Sequence, residues 1–300
     1  MRVSRRLAIL SLVASLLTPT LATDTAGAQA TPAKAIAPTA AGKVHRLTLS
    51  NGSELIGRVL SVDATSVQFE SDLGITTIPI GSIISFREEA PGYVRGGSYY
   101  FPNPNQTRLV FAPTGRMLKR GEGYFTDFWI FLPAIAAGVT DRITLGGGMT
   151  IIPGAGISDQ LLFFTPKFGI VEGDRFNGAI GALALSLPEV FDGDGRTSAG
   201  VLYGVGTWGG TDHSVTGGVG YGYLNDRLAD SPVIMLGGET RVAPRLSFVS
   251  ENYFFPGGSK LLSAGVRFMG RGISVDLSMM RPTGGGDSVT IPMVGFMWKW

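Results

Sequence analysis

From about Thr107 onward the chain repeatedly alternates apolar with polar or small residues. In residues 272–281, Ile273, Val275, Leu277 and Met279 alternate with Ser274, Asp276 and Ser278. In 260–269, Leu262, Ala264, Val266 and Phe268 alternate with Ser263, Gly265 and Arg267. Successive side chains of a β-strand point to opposite faces. Each segment therefore carries one face suited to an apolar surrounding and one suited to a polar one. Residues 160–171, 213–224 and 232–242 sort in the same way. The pattern predicts twelve strands: 107–113, 122–137, 142–153, 160–171, 175–187, 199–208, 213–224, 232–242, 245–255, 260–269, 272–281 and 289–300. Some positions resist it. Glu251 on the polar face puts Asn252 on the apolar one. Pro133, Pro166 and Pro292 fall inside predicted strands, where proline removes a ladder donor.

The connections alternate too. Tight ones are predicted at 138–141, 172–174, 209–212, 243–244 and 270–271. Longer or more polar ones fall at 114–121, 154–159, 188–198, 225–231, 256–259 and 282–288. Short turns at one end and longer loops at the other are the habit of bacterial membrane barrels. The expected fold is all-β: a transmembrane antiparallel barrel of about 12 strands over residues 107–300. A basic side chain facing lipid at the midplane costs about 2–4 kcal/mol, so the charged faces turn inward. The candidate lumen charges are Asp127, Lys167, Glu239, Arg241, Glu251, Arg267, Asp276 and Lys299. Gly146, Gly148, Gly204, Gly206, Gly218, Gly220 and Gly222 are expected to line the lumen beside them, leaving a narrow passage or permitting tight coiling.

In the last predicted strand Val294, Phe296, Trp298 and Trp300 alternate with Met293, Gly295, Met297 and Lys299. This aromatic ending resembles the assembly signal of bacterial outer-membrane β-barrel proteins. The resemblance implies outer-membrane lipid and the barrel-assembly machinery as partners. The other end of the chain agrees. Arg2, Arg5 and Arg6 precede an apolar run from Leu7 to Leu17, and Ala28-Gln29-Ala30 follows. That reads as a secretory signal peptide over residues 1–30, with Ala28 and Ala30 forming the A-x-A site and cleavage expected after Ala30. Residues 31–42 read as a flexible Ala/Thr/Pro-rich lead-in.

Residues 43–90 have another rhythm: five short strands, with a Ser50-Asn51-Gly52 hairpin signal. They resemble SH3-like or Sm-like small β-barrels, in which an Asn-Gly turn precedes a strand with an internal glycine, here Gly57. The resemblance implies a small five-stranded periplasmic domain that binds a protein partner or the cell wall. Residues 91–106 are the linker.

Composition narrows the chemistry. Glycine makes up 44 of 300 residues and mean hydropathy is +0.23, yet no run after the leader is long enough for a membrane helix. Without the three arginines and Asp24 of residues 1–30, 22 basic and 22 acidic residues remain. That balance gives nucleic-acid binding no electrostatic support. There is no cysteine. His45 and His213 are the only histidines, and they form no Ser/His pair. Gly204-Val205-Gly206-Thr207-Trp208-Gly209 matches a dinucleotide fingerprint without the helix it needs. Asp192-Gly193-Asp194-Gly195 opens like a calcium loop but lacks its later ligands. No cofactor or metal is expected, and the chain does not read as an enzyme. The expected function is a narrow outer-membrane channel or transporter for small solutes. The alternative is a non-conducting barrel that anchors the 43–90 domain in the periplasm. A barrel enzyme using carboxylates ranks last.

Overall fold

The computed structural model describes residues 36–89, 93–188, 197–225, 227–284 and 289–300. The predicted leader, with Ala28 and Ala30, and the Asp192–Gly195 motif lie outside the described residues. The chain forms two units, divided between Glu89 and Ala90.

The first unit is an antiparallel sheet of five strands: β1 His45–Leu49, β2 Glu54–Val62, β3 Ser66–Ser71, β4 Gly74–Pro79 and β5 Ile83–Glu88. Their order is β4-β3-β2-β1-β5. Asn51 Oδ1 accepts the Ser53 N–H, and Gly52 takes φ +84° in the predicted turn. Leu47, Val59, Val67, Phe69 and Ile78 make the core. Gly57 is required by close approach, because a Cβ there would sit 1.9 Å from the Glu70 carbonyl oxygen. Ile36 joins this core, and Thr39 bonds the Val59 backbone through both its N–H and its hydroxyl. Ile36 and Thr39 are thus tied to the sheet within a stretch expected to be a flexible lead-in.

The second unit is a closed antiparallel barrel of twelve wall strands. After a small ribbon, β6 Val94–Arg95 and β7 Ser98–Tyr99, the first wall strands are β8 Gly123–Phe128, β9 Leu132–Thr140, β10 Ile143–Met149 and β11 Leu162–Val171. Next come β12 Phe176–Leu187, β13 Thr197–Gly209 and β14 His213–Leu224. A two-residue ribbon, β15 Arg227–Leu228, precedes β16 Val233–Ala243, β17 Leu246–Phe254, β18 Lys260–Met269, β19 Ile273–Thr283 and β20 Ile291–Lys299. Each wall strand pairs with the next, and β20 closes the ring on β8, from Gly295↔Phe128 to Lys299↔Tyr124.

Two strand predictions fail and offset each other. Residues 107–113 are not in the wall; they form part of a hairpin inside the barrel, with Leu109 N–H on the Ala112 carbonyl and Thr114 N–H on the Thr107 carbonyl. Residues 122–137 contain β8 and the start of β9, joined by a tight turn at Trp129 and Ile130. Both residues adopt positive φ, 53° and 69°, without the glycine or asparagine that normally signals such a turn. The turn is held to β20, where the Trp129 N–H bonds the Val294 carbonyl and the indole N–H bonds the Pro292 carbonyl at 2.8 Å. The stretch 114–121, expected as an outer loop, instead leads from the lumen to the start of β8. There the Gly121 N–H bonds the Gly138 carbonyl, near the short 141–142 turn.

The resisting positions find reasons. Pro133 lies at the start of β9, Pro292 where β20 has already passed the end of β8, and Pro166 where the ladder to β12 is interrupted. Asn252 does face outward. The β17–β18 ladder breaks beside it, and its side-chain oxygen accepts the Ser263 N–H while its amide donates to the Leu236 carbonyl. The side chain thus satisfies backbone that would otherwise be unpaired toward lipid.

The outward face carries an apolar belt. Leu202, Val219 and Leu277 remain 50%, 47% and 44% exposed in the isolated chain. So much exposed hydrocarbon around a closed wall is the surface of a membrane barrel. Leu277→Arg places a cation mid-strand on that belt and is expected to destabilise the barrel by about 2–4 kcal/mol, measured by urea unfolding in lipid vesicles.

Candidate functional site in the barrel lumen

The wall's period of two turns Thr126, Lys167, Thr207, Glu239, Arg241, Glu251, Arg267 and Asp276 inward, and all of these are buried. A wall alone does not bury charges, because a lumen wide enough for twelve strands admits water. Here the burial comes from the chain itself. Phe101, Asn103, Asn105, Arg108, Leu109, Val110, Ala112, Thr114 and Leu118 are as buried as the wall residues they face. Residues 101–118 lie in the lumen against these side chains.

Arg267 is the main fastening. It is 0% exposed, and its five N–H donors all find acceptors. Nε and Nη2 bond the two Asp276 oxygens at 2.7 and 2.9 Å. Nη1 bonds Glu239 at 2.7 Å and the Asn105 carbonyl at 3.0 Å, and Nη2 also bonds the Leu109 carbonyl at 2.7 Å. The hairpin returns the contact, since the Asn103 amide donates to Glu239 and the Asn105 amide to Asp276. Buried charges are tolerable only when paired and fully hydrogen-bonded, and this cluster meets that condition.

Other anchors surround it. One Glu251 oxygen accepts the backbone N–H groups of Phe111 and Ala112, each at 2.9 Å, while the other accepts the Tyr253 hydroxyl. Lys167 donates to the carbonyls of Thr107, Thr114 and Arg116. Arg108 bonds the Thr126 hydroxyl and lies 4.7 Å from the Phe128 ring centroid. Close approach again selects glycine. A Cβ on Gly115 would stand 2.1 Å from the Asn177 carbonyl oxygen, and one on Gly237 would stand 2.5 Å from Leu109. At the short-turn rim, Asp212 pairs with both Arg95 and Arg241, and Lys299 pairs with Glu122 at 2.8 Å.

Of the predicted lumen charges, Glu239, Arg267 and Asp276 meet in one cluster, and Lys167 and Glu251 hold other parts of the same hairpin. Arg241 and Lys299 lie toward the rim. Asp127 is a correction. It falls on the outward side with Phe125 and Phe296, next to the tight turn, and accepts the Leu132 N–H. Gly204 and Gly206 are corrected too, since they share the outward face with Leu202 and Trp208. Sequence reasoning missed Asn103, Asn105 and Arg108 altogether. The available signal was Asn103-Pro-Asn105-Gln-Thr before an apolar run, a poor opening for a wall strand. No cluster of three or more His, Asp or Glu side chains suited to a metal exists among the described residues.

A closed antiparallel wall, apolar outside and charged within, is the fold of an outer-membrane β-barrel protein. No family model matches the chain, and no curated protein matches it. Among solved structures it is similar to the KdgM porin in complex with disordered oligogalacturonate, at 7% identity over 59% of this chain and 96% of that one, with a TM-score of 0.44. It is also similar to OmpTΔL8, an outer membrane protein of Vibrio cholerae, at 11% identity over 86% and 96% of the two chains, TM-score 0.35. The Salmonella typhi OmpF complex with daunomycin matches at 10% identity over the same shares, TM-score 0.33. Likeness this distant assigns no activity.

Arg267→Leu leaves Glu239 and Asp276 buried without their cation, at a cost of about 3–5 kcal/mol. The expected outcome is a barrel that still shifts mobility between unheated and boiled detergent gels but is cut by trypsin at Arg108 and Arg116, which the wild type protects.

Proposed function

We propose that the protein is an outer-membrane channel for small solutes, held shut by residues 101–118. One observation carries this reading: the hairpin is gripped from both sides of the lumen. Lys167 on β11 and Arg267 on β18 sit on strands six apart in the ring of twelve, and both bond its backbone. A segment tied to opposite walls blocks the lumen between them. The fastenings are polar, so water can replace them when the hairpin leaves, and the emptied lumen would keep inward charges that select solutes. By the rule that short turns are periplasmic, the segment enters from the periplasmic rim, where the Phe101 N–H bonds the Pro244 carbonyl. The five-stranded unit then belongs to the periplasm, positioned to meet a protein or the cell wall. The strand bearing Val294, Phe296 and Trp298 supplies the signal for the assembly machinery.

The complete satisfaction of Arg267 favours a second reading, in which the hairpin never leaves and the barrel only anchors the periplasmic unit. Planar-bilayer recording separates the two. The wild type is expected to be closed at low voltage, and a chain lacking residues 101–118 to conduct. A wild type as conductive as the deletion contradicts the shut state, and a silent deletion variant leaves the anchor.

A further inference from the structure

The lumen is chemically divided along its length. On β16, β18, β19 and β20 the inward charges Glu239, Arg241, Arg267, Asp276 and Lys299 lie toward the short-turn ends. Toward the opposite ends of the same strands the inward residues are Val233, Met235, Leu261, Met280 and Met293. On β11, β12 and β13 that outer half is lined by Phe163, Leu183, Leu185, Val201 and Tyr203. Phe163, Leu183, Leu185 and Val201 are only half-buried, and Tyr203 and Leu261, also half-buried, pack against the edge of the apolar cluster below them. The tip of the hairpin adds Leu109, Val110 and Ala112, packed in one cluster with Phe128, Met235, Met280 and Met293. The charges bordering this region are already engaged: Glu251 is capped by Tyr253 and two hairpin N–H groups, Lys167, in the same cross-strand row as Gly181 and Tyr203, donates to three hairpin carbonyls, and Arg108 bonds the Thr126 hydroxyl.

A passage for polar solutes has no use for such a lining. Aliphatic side chains around a partly open chamber give up water favourably to another aliphatic group. The Tyr203 hydroxyl supplies a polar contact at its inner end. Its ring lies across Gly181, where a Cβ would stand 2.5 Å from the hydroxyl oxygen, and that hydroxyl has no hydrogen-bond partner among the described residues.

We propose that the outer half of the lumen binds a single-chain aliphatic amphiphile, its alkyl chain against Leu183, Leu185, Val201 and Leu261 and its small polar head at Tyr203. This deepens the channel reading by naming a substrate class, and it rests on that reading only for the onward route. Binding needs no movement of the hairpin.

The test uses the full chain in amphipol, titrated with 1-decanol and followed by native mass spectrometry and calorimetry. One saturable decanol per barrel is expected. Leu185→Gln and, on the facing wall, Leu261→Gln should each weaken binding about tenfold or more by placing an amide in the chamber, while heat-dependent gel mobility reports that each variant is folded. Tyr203→Phe should weaken decanol binding and leave decane binding unchanged. Displacement of decanol by an added phospholipid identifies the bilayer as the source of the chain and supports the site. Absence of saturable binding to folded protein, or binding unaltered by both glutamine variants, overturns it. A barrel that binds decanol but stays silent after removal of residues 101–118 loses the channel reading alone. One that conducts after that removal but binds no decanol loses this inference alone.

Discussion

An antiparallel sheet in hydrocarbon cannot leave an edge unpaired, because each orphaned N–H or C=O there costs several kcal/mol. Closure of β20 on β8 is therefore the constraint on which the rest depends. Once the ring is closed, the period of two sends every second side chain to lipid and the others into the lumen. The places where the ladder falters confirm the constraint by how they are repaired. The indole of Trp129 bonds the Pro292 carbonyl, and Asn252 bonds across the break between β17 and β18.

The same closure creates the second problem, which the hairpin solves. A ring of twelve strands gathers Lys167, Glu239, Glu251, Arg267 and Asp276 into one enclosed space. Arg267 pairs with two carboxylates of the wall, yet two of its donors still need acceptors, and the hairpin offers the Asn105 and Leu109 carbonyls. Glu251 and Lys167 are completed by hairpin N–H and carbonyl groups in the same manner. Polar matching at one end and apolar matching at the other seat the hairpin in a single register, with Phe111 against Phe128 near the outer end, ring centroids 4.3 Å apart.

Much of this was legible in the sequence, and the failures have physical causes. From 160 onward the strands follow the alternation closely; 213–224 and 260–269 match β14 and β18 residue for residue. The first third was misread because its turn is written in the apolar run Phe128-Trp129-Ile130-Phe131, with no residue that prefers positive φ. The count of twelve survived only because one false strand, 107–113, replaced one hidden turn. Asp127 was placed inward by its charge, but at a strand end beside a turn a carboxylate can face outward and bond the Leu132 N–H. The inward charges were identifiable one by one. Their partners were not, since Asn103 and Asn105 lie 136 and 171 residues from Glu239 and Asp276, and no local pattern encodes contacts of that range.

The central claim is that residues 101–118 sit inside the closed wall. Hydrogen–deuterium exchange on the wild type in lipid tests it most directly, peptide by peptide. Amides of Asn105, Leu109, Phe111, Ala112, Thr114 and Gly115 have bonded partners within the unit and should exchange as slowly as those of β17 and β18. Exchange of this segment at the rate of an open loop, with the wall strands still protected, would contradict the account.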